Sequence, residues 1–133
     1  MLLLALLIVQ PAVAAQPVAP PIVTTASGLR LQVLEEGQGR QPARGDAVLV
    51  RYEGRLADGR VFDAPDQPVG LRVSDLVPGF TEALLLMHEG GRYIFWLPPG
   101  LAYGALGLPG TIPPNAELQF SLTLIRVGRA ARR

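Results

Sequence analysis

Two runs in this chain alternate with a period of two, and they restrict the fold more than any other feature. In the first, Val48, Val50 and Tyr52 interleave with Leu49, Arg51 and Glu53, and the run reaches Leu56. In the second, Leu118, Phe120, Leu122 and Leu124 interleave with Gln119, Ser121, Thr123 and Ile125. Successive side chains of a strand point to opposite faces, so each run reads as a strand with one buried face. Helical spacing is found at Phe80, Ala83, Leu84 and Met87, inside a window from Pro78 to Met87. Pro78 suits a first helical position and Gly90 is expected just past the end.

Shorter signals fill the remainder. Leu29, Leu31 and Val33 mark a strand, and Gly37 to Asp46 is turn chemistry. Ala57-Asp58-Gly59-Arg60 carries an Asp-Gly hairpin signal, with Val61 to Asp63 as the return strand. Pro65 and Pro68 interrupt that strand, so the chain should bulge and resume at Val69 to Val73. Arg92 to Leu97 is a further strand, closed by Pro98-Pro99-Gly100. The residues therefore predict an α+β fold: an antiparallel β-sheet of about five strands with one short α-helix packed on its concave face.

The 133 residues suit a single domain. Residues 1–15 read as a signal peptide: an aliphatic run from Met1 to Val9, then small residues up to Ala15, although without a basic start. The run is too short to span a bilayer, so no membrane association is expected after processing. Export to the periplasm or the exterior follows, with the cytoplasm as the alternative. Residues 16–24, rich in Pro, Ala and Val, read as a linker. The folded domain is expected over 25–128, with a basic tail at 129–133. The arginines from Arg126 to Arg133 carry no interleaved aromatic residue, so they read as a solvated tail and not as a nucleic-acid patch. The absence of cysteine removes disulfides, thiolate catalysis and Cys-based zinc sites, and one lone histidine, His88, makes no metal centre. No metal or cofactor is expected. Trp96 is expected on a sheet face or at the surface.

One stretch resists a structural reading alone. LAYGALGLPGTIPPNA, residues 101–116, is too apolar for a linker and holds no nucleophile. Taken with YEGRLADGRVFDAP and VPGFTEALLLM, and with its own continuation into ELQFSLTLI, it resembles the FKBP-type peptidyl-prolyl cis–trans isomerases. The resemblance runs from about Thr25 to Val127. It implies a twisted antiparallel sheet wrapped around the helix and an apolar pocket for a prolyl residue between them. Position by position, it implies a catalytic set of Tyr52, Phe62, Asp63, Tyr103 and Phe120. It implies substrate contacts from Val69, Leu76, Val77, Phe80 and Ile112, with Leu108 at the mouth. By alternation or helical spacing alone, Tyr52, Phe62, Phe80 and Phe120 would be core.

The implied reaction fits the missing nucleophile. Rotation about an X–Pro bond makes and breaks no bond between heavy atoms, so the protein need only bind the twisted amide better than either planar form. Tyr103 is the candidate donor to the carbonyl. Asp63 would orient Tyr52 or a nearby arginine, or polarise the site from its edge. The glycines and Pro109, Pro113 and Pro114 would shape a flap carrying Leu108 and Ile112. Two positions depart from the usual family pattern: Phe80 stands where Trp forms the floor, and Val69 where Phe forms a wall. The implied partners are prolyl-containing polypeptides, with macrolides such as rapamycin bound less securely. A monomer is expected, because no dimerisation helix precedes the domain. The alternative function is a non-catalytic prolyl-peptide-binding or chaperone module.

Overall fold

The computed structural model describes residues 19–129 and, apart from them, residue 5. The signal-peptide reading, the first part of the linker and the last residues of the tail fall outside the described residues. In chain order the elements are β1 (Ile22–Thr24), β2 (Arg30–Glu35), β3 (Ala47–Leu56), β4 (Val61–Asp63), β5 (Val69–Arg72), α1 (Pro78–Leu85), β6 (Arg92–Leu97) and β7 (Leu118–Gly128). Single 3-10 turns precede α1, at Val73–Asp75, and follow β6, at Pro99–Leu101.

The strands form one antiparallel sheet in the order β1-β2-β6-β7-β3-β4, with β5 also pairing on β3. Its spine is the long β3–β7 ladder, which runs from Ala47 opposite Gly128 to Leu56 opposite Leu118. Among the described residues the α+β class and the single helix agree with the sequence reading, but the sheet has seven strands where about five were expected. One addition lies in the expected linker: Ile22–Thr24 pair with Arg30–Gln32 across a turn closed by Thr25 and Leu29. Its side chains are exposed, so no buried face marks it in the sequence. The other is β5, short and set off from β4 by Pro65 and Pro68.

Helix α1 starts where Pro78 was expected to start it. No side chain caps it; the Val77 carbonyl accepts from the Phe80 and Thr81 amides instead. The helix stops at Leu85, before the expected end at Met87. The Leu86 and Met87 amides still turn back to Ala83 and Leu84, so Met87 is fully buried in spite of the earlier stop. Gly90 is therefore no helix cap. Its left-handed φ of 93° serves the turn into β6, where the Gly91 amide donates to the His88 carbonyl.

The core lies between α1 and the inner face of the sheet. Phe80, Ala83, Leu84 and Met87 meet the inward residues of β3, β6 and β7, among them Val50, Phe95 and Leu124. Gly79 lets the helix approach closely: a methyl group there would lie 2.5 Å from Leu97 Cδ2. The outer face carries Trp96, half-buried, with the Arg30 guanidinium 5.1 Å from its ring centroid. Arg30 also pairs with Glu117 at 2.8 Å.

One buried polar contact ties α1 to the segment before it. Thr81 Oγ1 donates to the Val73 carbonyl at 2.6 Å, both groups being buried. Thr81→Val keeps the shape and leaves that carbonyl unpaired, which costs about 1–3 kcal/mol. Urea unfolding should show that loss with an unchanged denaturant slope. A midpoint equal to wild type would mean that the hydroxyl contributes nothing to holding the helix.

Candidate functional site

All four phenylalanines of the chain belong to one aromatic cluster. Phe120, pointing inward from β7, is its centre. Phe80 stands edge-on to it at 4.9 Å, Phe62 edge-on at 5.7 Å, and Phe95 stacks on it at 5.2 Å. Tyr52 packs against Phe80 at 5.9 Å and Phe120 at 6.2 Å. Such offset and edge-on pairs are favoured over face-to-face stacking because ring edges carry positive and ring faces negative partial charge.

Above this cluster opens a cavity of about 220 Å³ lined by Tyr52, Phe62, Asp63, Leu71, Asp75, Leu76, Val77, Phe80, Tyr103 and Phe120. Phe80 and Phe120 are each 5% exposed, so they form a floor and not a rim. The cavity falls below the roughly 300–1,000 Å³ typical of drug-sized ligands. It suits one compact apolar ring with its polar continuation outside.

The polar lining residues are Tyr52, Asp63, Asp75 and Tyr103. Tyr52 Oη donates to Asp63 Oδ2 at 2.5 Å. Among the described residues no arginine pairs with Asp63, so of the two partners considered it is the tyrosine that Asp63 holds. Burial is the main cause that raises the Tyr52 pKa; the hydrogen bond to Asp63, the Asp63 charge and neighbouring Tyr103 raise it further. The Tyr103 hydroxyl differs. It lines the cavity from a residue 38% exposed, and it bonds to no other described residue. Its O–H is free to donate to a guest.

Val69 and Ile112, expected at the cavity, and Leu108, expected at its mouth, are not among its lining residues. Val69 is half-buried against the core, but its side chain ends at the γ-methyls and Leu71 supplies the wall from the same face of β5. Ile112 is buried at 4% exposure and packs into the core beneath the flap. Leu108 is 41% exposed and is bridged to Ile112 by two backbone hydrogen bonds of 2.8 Å. Both belong to the structure of the flap and not to the cavity lining.

Leu71, Asp75 and Gly54 carry parts that the sequence reading missed. Gly54 is buried on β3, opposite Phe120 and Asp63. A methyl group there would lie 2.6 Å from Phe62 and 3.0 Å from Phe120, so only glycine lets both rings close over the strand. A glycine at an inward position of the alternating run was its available signal. Leu71 shares the parity of Val69. Asp75 sits in the 3-10 turn, where no periodicity points to it.

The alkaline behaviour follows from Tyr52. Its folded-state pKa is raised, so the folded chain keeps this proton above pH 10.0, where the unfolded chain releases it. The resulting stability is full below that value and is lost as pH rises beyond it. Tyr93, raised chiefly by burial, acts in the same direction. Between about pH 8 and about pH 11, the urea midpoint of Tyr52→Phe should therefore fall less than that of wild type. Equal falls would show that Tyr52 titrates alike in both states.

Comparison with known proteins gives a consistent picture. Residues 38–125 match the family described as FKBP-type peptidyl-prolyl cis-trans isomerase. The chain is 44% identical over 110 residues to a probable FKBP-type peptidyl-prolyl cis-trans isomerase FkpA of Neisseria meningitidis, covering 80% of this chain and 40% of that protein. It is 42% identical over 115 residues to the outer membrane protein MIP of Legionella longbeachae, covering 84% of this chain and 49% of that protein. It thus spans less than half the length of either. Among solved structures, a peptidyl-prolyl cis-trans isomerase from Pseudomonas syringae superposes with a TM-score of 0.80 at 36% identity, covering 83% of each chain.

Proposed function

Since the chain belongs to the FKBP-type peptidyl-prolyl cis–trans isomerases, we propose that it accelerates rotation about X–Pro bonds in polypeptides whose prolyl ring enters the aromatic cavity. The observation that carries this reading is the contrast between two hydroxyls on one cavity: Tyr52 is committed to Asp63, while Tyr103 is uncommitted.

The chemistry needs little more. The barrier to rotation, about 18–20 kcal/mol, comes from amide resonance. Resonance separates charge in the planar amide, and a cavity walled by apolar rings solvates that charge separation less well than water does. Twisting the bond removes the charge separation, so the cavity disfavours the planar forms relative to the twisted one. A donor placed for the twisted carbonyl adds selectivity, because only contacts stronger in the transition state raise the rate. Tyr103 serves as that donor, and Asp63 acts by fixing Tyr52 as a wall. No group needs to transfer a proton.

Phe80 at the floor lacks an indole N–H, and the small cavity favours a single prolyl ring over a larger macrocycle. Rapamycin-type macrolides are accordingly secondary guests. The protein acts as an exported monomer on prolyl-containing polypeptides. The relative named an outer membrane protein and the leader-like residues 1–15 support export. No helix of the described residues is long and apolar enough to cross a membrane.

The test is isomerisation of Leu-Pro and Ala-Pro peptides by residues 16–133. Tyr103→Phe should lower kcat/KM by about three- to tenfold, the range expected for one neutral hydrogen bond. Asp63→Ala should lower it by about tenfold, because it releases Tyr52 and removes a charged acceptor. Prolyl-peptide binding without acceleration would make the domain a binding module and overturn the catalytic reading. In a parallel titration, Phe80→Trp should bind rapamycin more tightly than wild type. Equal affinity would remove the floor residue as the determinant.

A further inference from the structure

The outer face of the same sheet carries a second concavity, of about 370 Å³. It begins where the chain leaves β4 at Ala64 and Pro65 and crosses β3, β7 and β6 to Leu34 on β2. The strand register places Arg51 of β3 and Arg92 of β6 on either side of Thr123 of β7, each directly opposite it. Glu53 and Ser121 stand opposite each other on the same face, two residues along.

The charges in this groove are not equally occupied. Glu53 is taken by Arg55 at 2.5 Å, and Arg92 has an exposed partner in Glu35 at 3.2 Å. Arg51 makes no side-chain ion pair or hydrogen bond with any other described residue. The hydroxyls of Thr123 and Ser121 are likewise unbonded to other described residues. A free guanidinium, a second held only by a surface pair, and hydroxyl donors beside them make a lining complementary to carboxylates.

The groove and the prolyl cavity lie on opposite faces of β3 and come nearest at the β4 edge of the sheet. Tyr52 lines both spaces, and the chain passes from Asp63 in one to Ala64 and Pro65 in the other. The geometry points to a second subsite, in which Arg51 and Arg92 receive an acidic segment of the polypeptide whose proline occupies the aromatic cavity. This rests on the isomerase reading for its first subsite. Strands lie about 4.8 Å apart, so the two arginines stem from points about 10 Å apart. Their long side chains can meet carboxylates on alternate residues of an extended segment, about 7 Å apart.

The experiment uses a neutral Leu-Pro peptide extended at either end by two to six residues ending in a Glu-x-Glu or a Gln-x-Gln triplet. In wild type at low salt, the Glu-extended peptide should show a KM about three- to tenfold lower than the Gln-extended one, with similar kcat. That ratio should approach one in Arg51→Gln/Arg92→Gln and persist in Arg44→Gln, an exposed arginine outside the groove. A proline-free Glu-x-Glu peptide, titrated into labelled protein, should shift the amides of residues 51–53 and 121–123. A wild-type ratio of one, or a ratio that survives the double substitution, overturns the subsite. Failure to accelerate even the neutral peptide would sink the isomerase reading instead, and the proline-free titration would then decide the groove alone.

Discussion

The edge-on contact between Phe80 and Phe120 is the interaction on which the rest depends. It joins the helix to the centre of the sheet at 4.9 Å, and it is also the floor of the cavity. Core and binding site are thus one set of rings seen from two sides. This explains how so small a chain can afford a pocket. Phe80 and Phe120 pack against Phe95 and the aliphatic core, and the same two rings line the cavity. Deep large-to-small changes here would cost both stability and shape, since cores relax only partly around a deletion.

The flap solves a different problem. Residues 102–116 contain no strand or helix, yet they must hold Tyr103 in place. Their order comes from short backbone hydrogen bonds: Gly107 to Tyr103, Leu108 with Ile112, and Asn115 to Gly104. Gly107 adopts a φ of 63°, and a methyl group on it would meet the Ile112 carbonyl at 2.3 Å. Its lack of a side chain is needed for both reasons. Ile112 then anchors the loop in the core, and Leu108 is left near the surface. The resemblance set Ile112 at the cavity and Leu108 at its mouth; the local hydrogen bonding explains how they frame the flap.

Much of the architecture was legible because period-two burial is a strong signal. β3 and β7 each have an inner face filled by the residues whose alternation marked them. β1 was not legible, because an exposed strand of three residues has no buried face to impose a pattern. The helix end was misplaced because Met87 remains buried after the hydrogen-bond ladder has stopped, so burial and helicity part company there. At the site, the aromatic residues were legible by resemblance and by parity. Gly54 offered a signal, an inward glycine in an alternating run, but its role depends on how closely two rings approach across strands, a three-dimensional quantity. Asp75 lies on a 3-10 turn with no period to reveal it.

The two faces of β3 join these observations. Tyr52 and Gly54 turn inward and shape the aromatic cavity, while Arg51 and Glu53 turn outward onto the groove. The long ladder to β7 fixes both at once, placing Phe120 opposite Gly54 and Thr123 opposite Arg51. A slip of one residue would exchange the faces, putting an arginine among the phenylalanines and a tyrosine in the groove. The energetic roles of the faces must also differ. The inner face touches the rotating bond and can distinguish twisted from planar amide, so it acts on kcat. The outer face is remote from that bond and meets the same carboxylates before and after rotation. Binding that is uniform along the reaction lowers KM and leaves kcat alone. One strand therefore separates recognition from catalysis by parity, and the register that builds the core enforces the separation.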